Sequence, residues 1–489
     1  FYKAGSAGSG MAVCRQGRMR GNMKKTVGIV GGGAAGMLAA IAAARQGVSV
    51  TILEGNDRVG KKILSTGNGK CNLGNRKLDP EEYYTGQPRL LRECLERFGT
   101  EDTVSFFQGI GLLLKEKNGY LYPACEQASA VLDALRYELA SLEIEVVSGC
   151  KVKQILTGDA VIGNGHNSSG QKGRQTVAGS GKLPSGQENG KSMAQGMKLP
   201  SGKEHGKYAA QGVQLPPGQR NGRITVRSEE RSFDFDSVII ACGGKAAPKT
   251  GSDGSGFRLA EQIGHKLRPT VPALVQLRCS EPYLKAVSGV RADAMIRVWN
   301  AGECIACERG ELQLTDYGIS GIPVFQLSRQ VNYILRKQKE VEVTVDFLPD
   351  YGQEEYETLQ ADREILRKGR TVEEFFTGML HKKLMLQFIK MAGLRPGESA
   401  EAADPAAVRR VCELCREWRL HVNGHNSFDN AQVCAGGVPL EEVTENLESR
   451  KAPGIFFAGE ILDVDGKCGG YNLQWAWCSG YLAGKAAAR

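Results

Sequence analysis

The sequence holds no apolar run long enough to cross a bilayer: its most apolar helix candidate, Ala34 to Gln46, falls short of the roughly 20 residues a span needs. It also shows no export signal. Phe1 to Gly10 has no apolar stretch and reads as a linker left by expression cloning, with the native start expected at Met11 or Met23. The expected address is therefore the cytoplasm, with no membrane partner. A disulfide framework is not expected either, because 14 cysteines without an export signal argue for reduced thiols. Two CxxC pairs, Cys304/Cys307 and Cys412/Cys415, raise a zinc site. Cys304 and Cys307 fall in a strand-like run, where an offset of three sends side chains to opposite faces. Cys412 and Cys415 fall in a helical run without the turn of a zinc knuckle, so no metal site is expected.

Hydrophobic and charged fractions are ordinary, and 489 residues suffice for two or three domains. The net charge of +9 suggests nucleic acid until it is located. Residues 1–25 hold six Lys/Arg and no acid, and residues 157–223 hold nine basic residues against Asp159, Glu188 and Glu204. The rest of the chain is mildly acidic, so global charge is weak support for RNA binding.

Thr26 to Val30 is β-rich and ends in the glycine turn Gly31-Gly32-Gly33-Ala34-Ala35-Gly36; an Ala-rich helix follows to Arg45, then a second β run, Val48 to Leu53, closed by Glu54. That is a complete βαβ unit, and the expected class is α/β with a Rossmann-type domain. Helices are expected near 89–99 and 128–142, and strands at 144–147 and 151–156. Residues 157–222 repeat Lys-Leu-Pro-Ser-Gly at 182 and 198, lack an apolar ladder, and read as a disordered insertion at a hairpin tip. A buried strand at Ser237 to Cys242 resumes the α/β pattern.

The expected organisation is then a tag or disordered N-terminus at 1–22, and a dinucleotide domain in three parts, 23–156, 223–270 and 433–489. Between them fall a β-rich substrate domain at 271–348 and 419–432 and a helical lobe at 349–418. The closing helix, Gln474 to Ala488, carries Ala476, Ser479, Gly480 and Ala483, small residues suited to close packing.

A lone GxGxxG is weak evidence, but here it follows a strand, opens a helix and precedes an acid at the next strand's end. Gly31 permits the tight turn, Gly33 lets the backbone approach a pyrophosphate, and Gly36 lets helix and strand pack closely. The helix N-terminus at Ala34 and Ala35 offers N–H donors to phosphates, and Glu54 is placed for a ribose. A second strand–glycine–acid element, Gly459 to Gln474, favours FAD over NAD, because an extended flavin dinucleotide needs a distant second seat. Asp463 suits its ribityl or phosphate region. The Gly469-Gly470 turn can aim N–H groups at the side of the flavin ring where charge accumulates on reduction.

These stretches, with Thr66 to Leu73, Gly243 to Pro248, Gly251 to Gly256, Leu314 to Gly321 and Ala435 to Val438, resemble the BaiN-like/YhiN-like bacterial FAD-dependent oxidoreductases. The resemblance runs from Lys24 to Arg489 apart from the repeat insertion. Asp316 stands where many members carry His, and Cys468 where Thr is common. The resemblance implies a glutathione-reductase-like FAD domain interrupted by the β-rich domain and the lobe. It also implies that Lys62, Gly67, Gly69, Cys71, Asn72, Val152, Ala241, Gly243, Gly254, Gly459, Glu460, Tyr471, Asn472 and Leu473 line the cofactor.

Three residues are candidate proton donors: Cys71, His421 and His425. Each has a bland alternative, a packing cysteine or a loop histidine. His265 reads as a cap or core histidine. With only one dinucleotide fingerprint, NAD(P)H is expected to visit the flavin transiently rather than occupy its own domain. The family is linked to reduction of activated C=C bonds. The leading substrate is uridine of large-subunit ribosomal RNA, giving dihydrouridine, ahead of a small enone such as a bile-acid intermediate. An amine oxidase and a flavin-bearing RNA-binding or assembly factor are the remaining alternatives.

Overall fold

Thr, Val and Ile dominate Thr26–Val30 (β1) and Ser49–Leu53 (β2), and the breaker-free alanines between them form a helix, Ala34–Ala44 (α1). The computed structural model describes residues 24–157, 223–364 and 367–489, without the side chains of residues 359–364. The expected unstructured segments, 1–22 and 157–222, lie outside the described residues except for Thr157.

β1 sits at the centre of a five-stranded parallel sheet. Ser237–Ile240 and then Ile455–Phe457 lie on one side of it, with β2 and then Glu145–Val147 on the other. Strand order thus reverses at β1, and the carboxyl ends of β1 and Ser237–Ile240 open the crevice where such sheets bind ligands. Both faces are covered, so the strands are nearly continuous apolar runs; Val27, Ile29, Ile52, Val238 and Ile240 are all buried.

The closing helix, Tyr471–Ala487, packs along α1. A β-carbon at Gly480 would lie 2.4 Å from the Ala35 carbonyl oxygen, and one at Gly484 would lie 2.3 Å from that of Ala39. The helices can meet this closely only because those positions are glycine.

A closed six-stranded barrel follows the order Leu277–Cys279, Gly318–Gly321, Glu303–Leu314, Arg291–Asn300, Val341–Asp346, Trp418–His425. The helix Ile322–Leu335 packs Val324, Leu327 and Val331 into its core. The helices between residues 349 and 418 share that core: Trp418 lies 5.4 Å from the Phe388 ring and 5.9 Å from that of Phe347.

The expectation for Cys304 and Cys307 is overturned here. A bulge at this point pairs Cys304 with Trp299 but Cys307 with Arg297, two positions on one face of the neighbouring strand. The extra residue cancels the odd offset, so both cysteines share a face, and both are exposed. Among the described residues no group of three or more His, Cys, Asp or Glu is arranged to hold a metal ion. No helix among them is long and apolar enough to cross a membrane.

Candidate functional site

The glycine turn is built by three different constraints. Gly31 has φ of +103°, and a β-carbon there would press on the Ala241 carbonyl at 2.7 Å. A β-carbon at Gly36 would lie 1.9 Å from the Gly31 oxygen. At Gly33, by contrast, it would meet nothing within 4 Å. The turn leaves an open face at Gly33, where α1 begins with no capping side chain and no acid in its first turn. Uncapped N–H groups and the helix dipole favour an anion there.

Glu54 is buried at the edge of the turn, accepting from Gly32 N at 2.8 Å and from Asn56 N and Nδ2 at 2.7 and 2.8 Å. Oε1 takes both Asn56 donors and Oε2 only that of Gly32, so Oε2 can still accept from a hydroxyl. Val152 is buried nearby, two residues beyond Cys150, whose N–H donates to the Glu54 carbonyl.

The second seat comes from the C-terminal segment. Gly459 lies against α1, since its β-carbon would stand 2.8 Å from that of Ala35. Asp463 is buried; Arg268 Nε reaches its Oδ2 at 2.9 Å, while its Oδ1 has no hydrogen-bond partner among the described residues. Burial raises its pKa, against the pull of Arg268 and Arg329. A buried acceptor without a donor is costly unless something supplies one, and a ribityl hydroxyl would.

Gly469 and Gly470 both have positive φ, and Gly470 opens the closing helix without a side-chain cap. That turn lies on Gly74, and the Tyr120 ring covers Gly469. Asn72, with its amide nitrogen turned toward them, donates to the carbonyls of Gly74 at 2.8 Å and Leu121 at 3.2 Å. Trp477 Nε1 donates to the Leu73 carbonyl at 3.0 Å, tying the closing helix to that segment. Asn472 closes a side-chain bridge with Gly466, accepting from its N–H at 2.9 Å and donating to its carbonyl at 2.8 Å. Tyr471 is buried and Leu473 half-buried at the start of this helix.

Gly243 and Gly254 supply left-handed turns beyond Ala241. Both oxygens of Glu460 are engaged within the protein. Oε1 accepts from Cys434 N at 2.7 Å, and Oε2 from Lys62 Nζ at 2.8 Å and Gly244 N at 3.3 Å. Glu460 therefore fixes Lys62 and the Gly243-Gly244 backbone. Arg268, Asn56, Tyr120 and Arg329 also belong to this neighbourhood and carry no sequence motif.

The three proton-donor candidates are not brought together. Cys71 is fully buried in the dinucleotide domain's core, and burial pushes its thiol up to about 11. With Gly67, Asn68 and Gly69 it shares positive φ, unusual for a cysteine. It is thus a neutral thiol at pH 7. We expect iodoacetamide at pH 8 to leave Cys71 unmodified in the native protein and to label it only after unfolding, read by peptide mass spectrometry. Rapid native labelling would contradict this burial.

His421 points outward from the barrel, its Nδ1 on Glu281 at 2.9 Å. His425 is half-buried, with Nδ1 against the Asn426 carbonyl at 2.8 Å. Asp316 is exposed, and Cys468 is half-buried.

His265 shows a serine–histidine–carboxylate arrangement, Nε2 to Ser449 Oγ at 2.7 Å and Nδ1 to Glu442 at 2.6 Å. His265 and Ser449 are buried, and the serine oxygen already accepts from Lys451 N and Ala452 N, so the trio is a clamp. Desolvation holds the histidine below its ordinary pKa against the pull of Glu442. The unfolded chain therefore takes up the proton first, and stability from this site is lost as pH falls through about 6.5. The melting temperature should drop more steeply between pH 7.5 and 5 in the wild type than in His265→Gln. Equal slopes would sink this assignment.

Comparison with known proteins bears on this geometry. The family described as HI0933-like protein Rossmann domain matches residues 25–199 and 208–486. The 3-dehydro-bile acid delta(4,6)-reductase of Clostridium scindens is 40% identical over 468 residues, covering 94% of this chain and 98% of that protein. The ribosomal RNA dihydrouridine synthase of Haemophilus influenzae is 26% identical over 468 residues, with coverage of 94% and 98%. Among solved structures, a 3-ketosteroid-delta4-(5alpha)-dehydrogenase from Rhodococcus jostii aligns over 95% of this chain and 97% of its own at 15% identity, with a TM-score of 0.43.

Proposed function

The chain belongs to the HI0933-like Rossmann-domain family of flavin-dependent oxidoreductases, and from that premise we propose that it reduces an activated C=C bond of a small conjugated ketone, drawing electrons from NAD(P)H. The observation that carries the cofactor reading is the pairing of an open Gly33 with the unpartnered Asp463 Oδ1. The first would seat a pyrophosphate, and the second would accept a hydrogen bond from a hydroxyl. Glu54 would hold the adenosine ribose, and the Gly469-Gly470 turn with the uncapped closing helix would face the ring's electron-accepting side. Bound FAD, once reduced, supplies hydride to one carbon of the double bond. The protein's part is to seat the dinucleotide, keep the substrate carbon against the ring, and deliver a proton to the neighbouring carbon.

The substrate class leans on the 40% identity with a bile-acid reductase. We test it by anaerobic mixing with NADPH and NADH, followed by a 3-oxo-4-ene or 3-oxo-4,6-diene steroid. Flavin bleaching and then recovery of the oxidised spectrum on adding the enone are expected. Bleaching without recovery would refute the ketone substrate, and absence of bleaching would refute NAD(P)H as donor. Uridine in ribosomal RNA is the second reading, favoured by relatives of that name at 26% identity. It predicts loss of dihydrouridine from the large-subunit RNA of a deletion strain, read by mass spectrometry.

A further inference from the structure

The helix Ile322–Leu335 has two working faces. One is apolar and fills the barrel core. The other presents Gln326, Arg329, Gln330 and Tyr333, spaced i, i+3, i+4 and i+7 along one stripe. That stripe is only half-exposed, because part of it is taken up by contacts with other segments. Gln326 Oε1 accepts from Cys468 N at 2.9 Å, and Arg329 Nε donates to both oxygens of Asp465 at 3.1 and 2.9 Å. The guanidinium lies over the Tyr84 ring at 4.3 Å and near Tyr333 at 5.0 Å.

Asp465 is buried and occupies a two-residue strand paired with Tyr83–Tyr84. Two residues upstream is Asp463 with its open oxygen, and immediately downstream runs Gly466 to Gly470. The barrel's helix therefore grips the segment that carries the second dinucleotide seat.

We propose that Arg329 is a positioning residue: through Asp465 it locks the barrel onto the Asp463–Gly470 segment and sets how that segment meets the flavin. The inference rests on the FAD reading above and not on any particular substrate.

A buried ion pair has a plainer explanation, charge neutralisation, and the two can be separated. Removing one partner strands a buried charge and destabilises; removing both often restores stability. A pair that merely neutralises would then regain everything. A pair that positions would regain stability and still bind flavin wrongly, because the planar Arg329 guanidinium, stacked on Tyr84, holds Asp465 to the helix.

The test uses Arg329→Met, Asp465→Asn, the double variant and Arg329→Lys, each measured for melting temperature without FAD, FAD affinity and the visible flavin band. Arg329→Met should melt lower and bind FAD at least roughly tenfold more weakly. The double variant should recover the melting temperature but keep the weakened affinity and a displaced band. Arg329→Lys, which keeps the charge and loses the planar stack, should fold and bind FAD between wild type and Arg329→Met. Wild-type affinity and spectrum in the double variant would overturn the proposal, as would an Arg329→Lys variant indistinguishable from wild type. A wild-type chain that takes up no FAD would overturn the cofactor reading, and the inference with it.

Discussion

Gly33→Val is expected to cost the chain its FAD while leaving its fold in place. The backbone at Gly33 has φ of −79°, which valine tolerates, and the new β-carbon would meet nothing within 4 Å. The structural cost is that of a poorer residue at the start of α1, about 1 kcal/mol. The added methyls occupy the space that a pyrophosphate needs against the helix N-terminus, so affinity should fall by about 100-fold or more, some 3 kcal/mol. Calorimetry of the FAD-free protein and FAD titration by fluorescence quenching check the two halves separately. Affinity within threefold of wild type would remove the glycine turn as the phosphate seat. Gly36→Ala is the contrasting case: its β-carbon would lie 1.9 Å from backbone, so fold and cofactor should fail together.

The second large effect belongs to the α1–closing helix contact. Gly480→Val would place a β-carbon 2.4 Å from the Ala35 carbonyl oxygen, a backbone atom on a buried helix that cannot swing aside. The helices must separate, and overpacking of this kind costs about 3 kcal/mol or more. Urea denaturation of the FAD-free protein measures it. Because the N-terminus of α1 is the proposed phosphate seat, FAD affinity should drop as well. A loss below about 1 kcal/mol would mean that the helices are less tightly apposed than the geometry implies.

Much of this was legible from the residues. The βαβ unit reads directly because periodicity, glycine spacing and the closing acid all agree on one local structure, and Gly31, Gly33 and Gly36 play three separable parts. The C-terminal element was legible for a similar reason: glycines and an acid clustered beside a buried strand.

What was not legible is what depends on distant partners. Arg268 and Arg329 look like ordinary solvated cations until the fold brings them to Asp463 and Asp465. The stripe through Gln326, Arg329 and Tyr333 has the pattern of a water-facing helix surface, and only tertiary packing gives it partners. Cys304 and Cys307 failed for a local reason: a single bulge reverses facing, and nothing in Cys-Ile-Ala-Cys announces one. Cys71 illustrates a third limit. Its position in a motif suggests a proton donor, and only the fold shows that the thiol is buried and held neutral.

The sheet order also sets a schedule for synthesis. The central strand, Thr26–Val30, leaves the ribosome before the barrel, but the outer strand Ile455–Phe457 and the helix that covers α1 emerge after it. The barrel, from Leu277 to His425, is complete before them. A nascent chain can therefore own a finished barrel while one face of α1 and one edge of the parallel sheet are still bare. Cofactor loading on this plan waits for residues 455–487, and a chain cut short before Ile455 is left with a folded barrel and an open, adhesive half-domain for quality control to recognise.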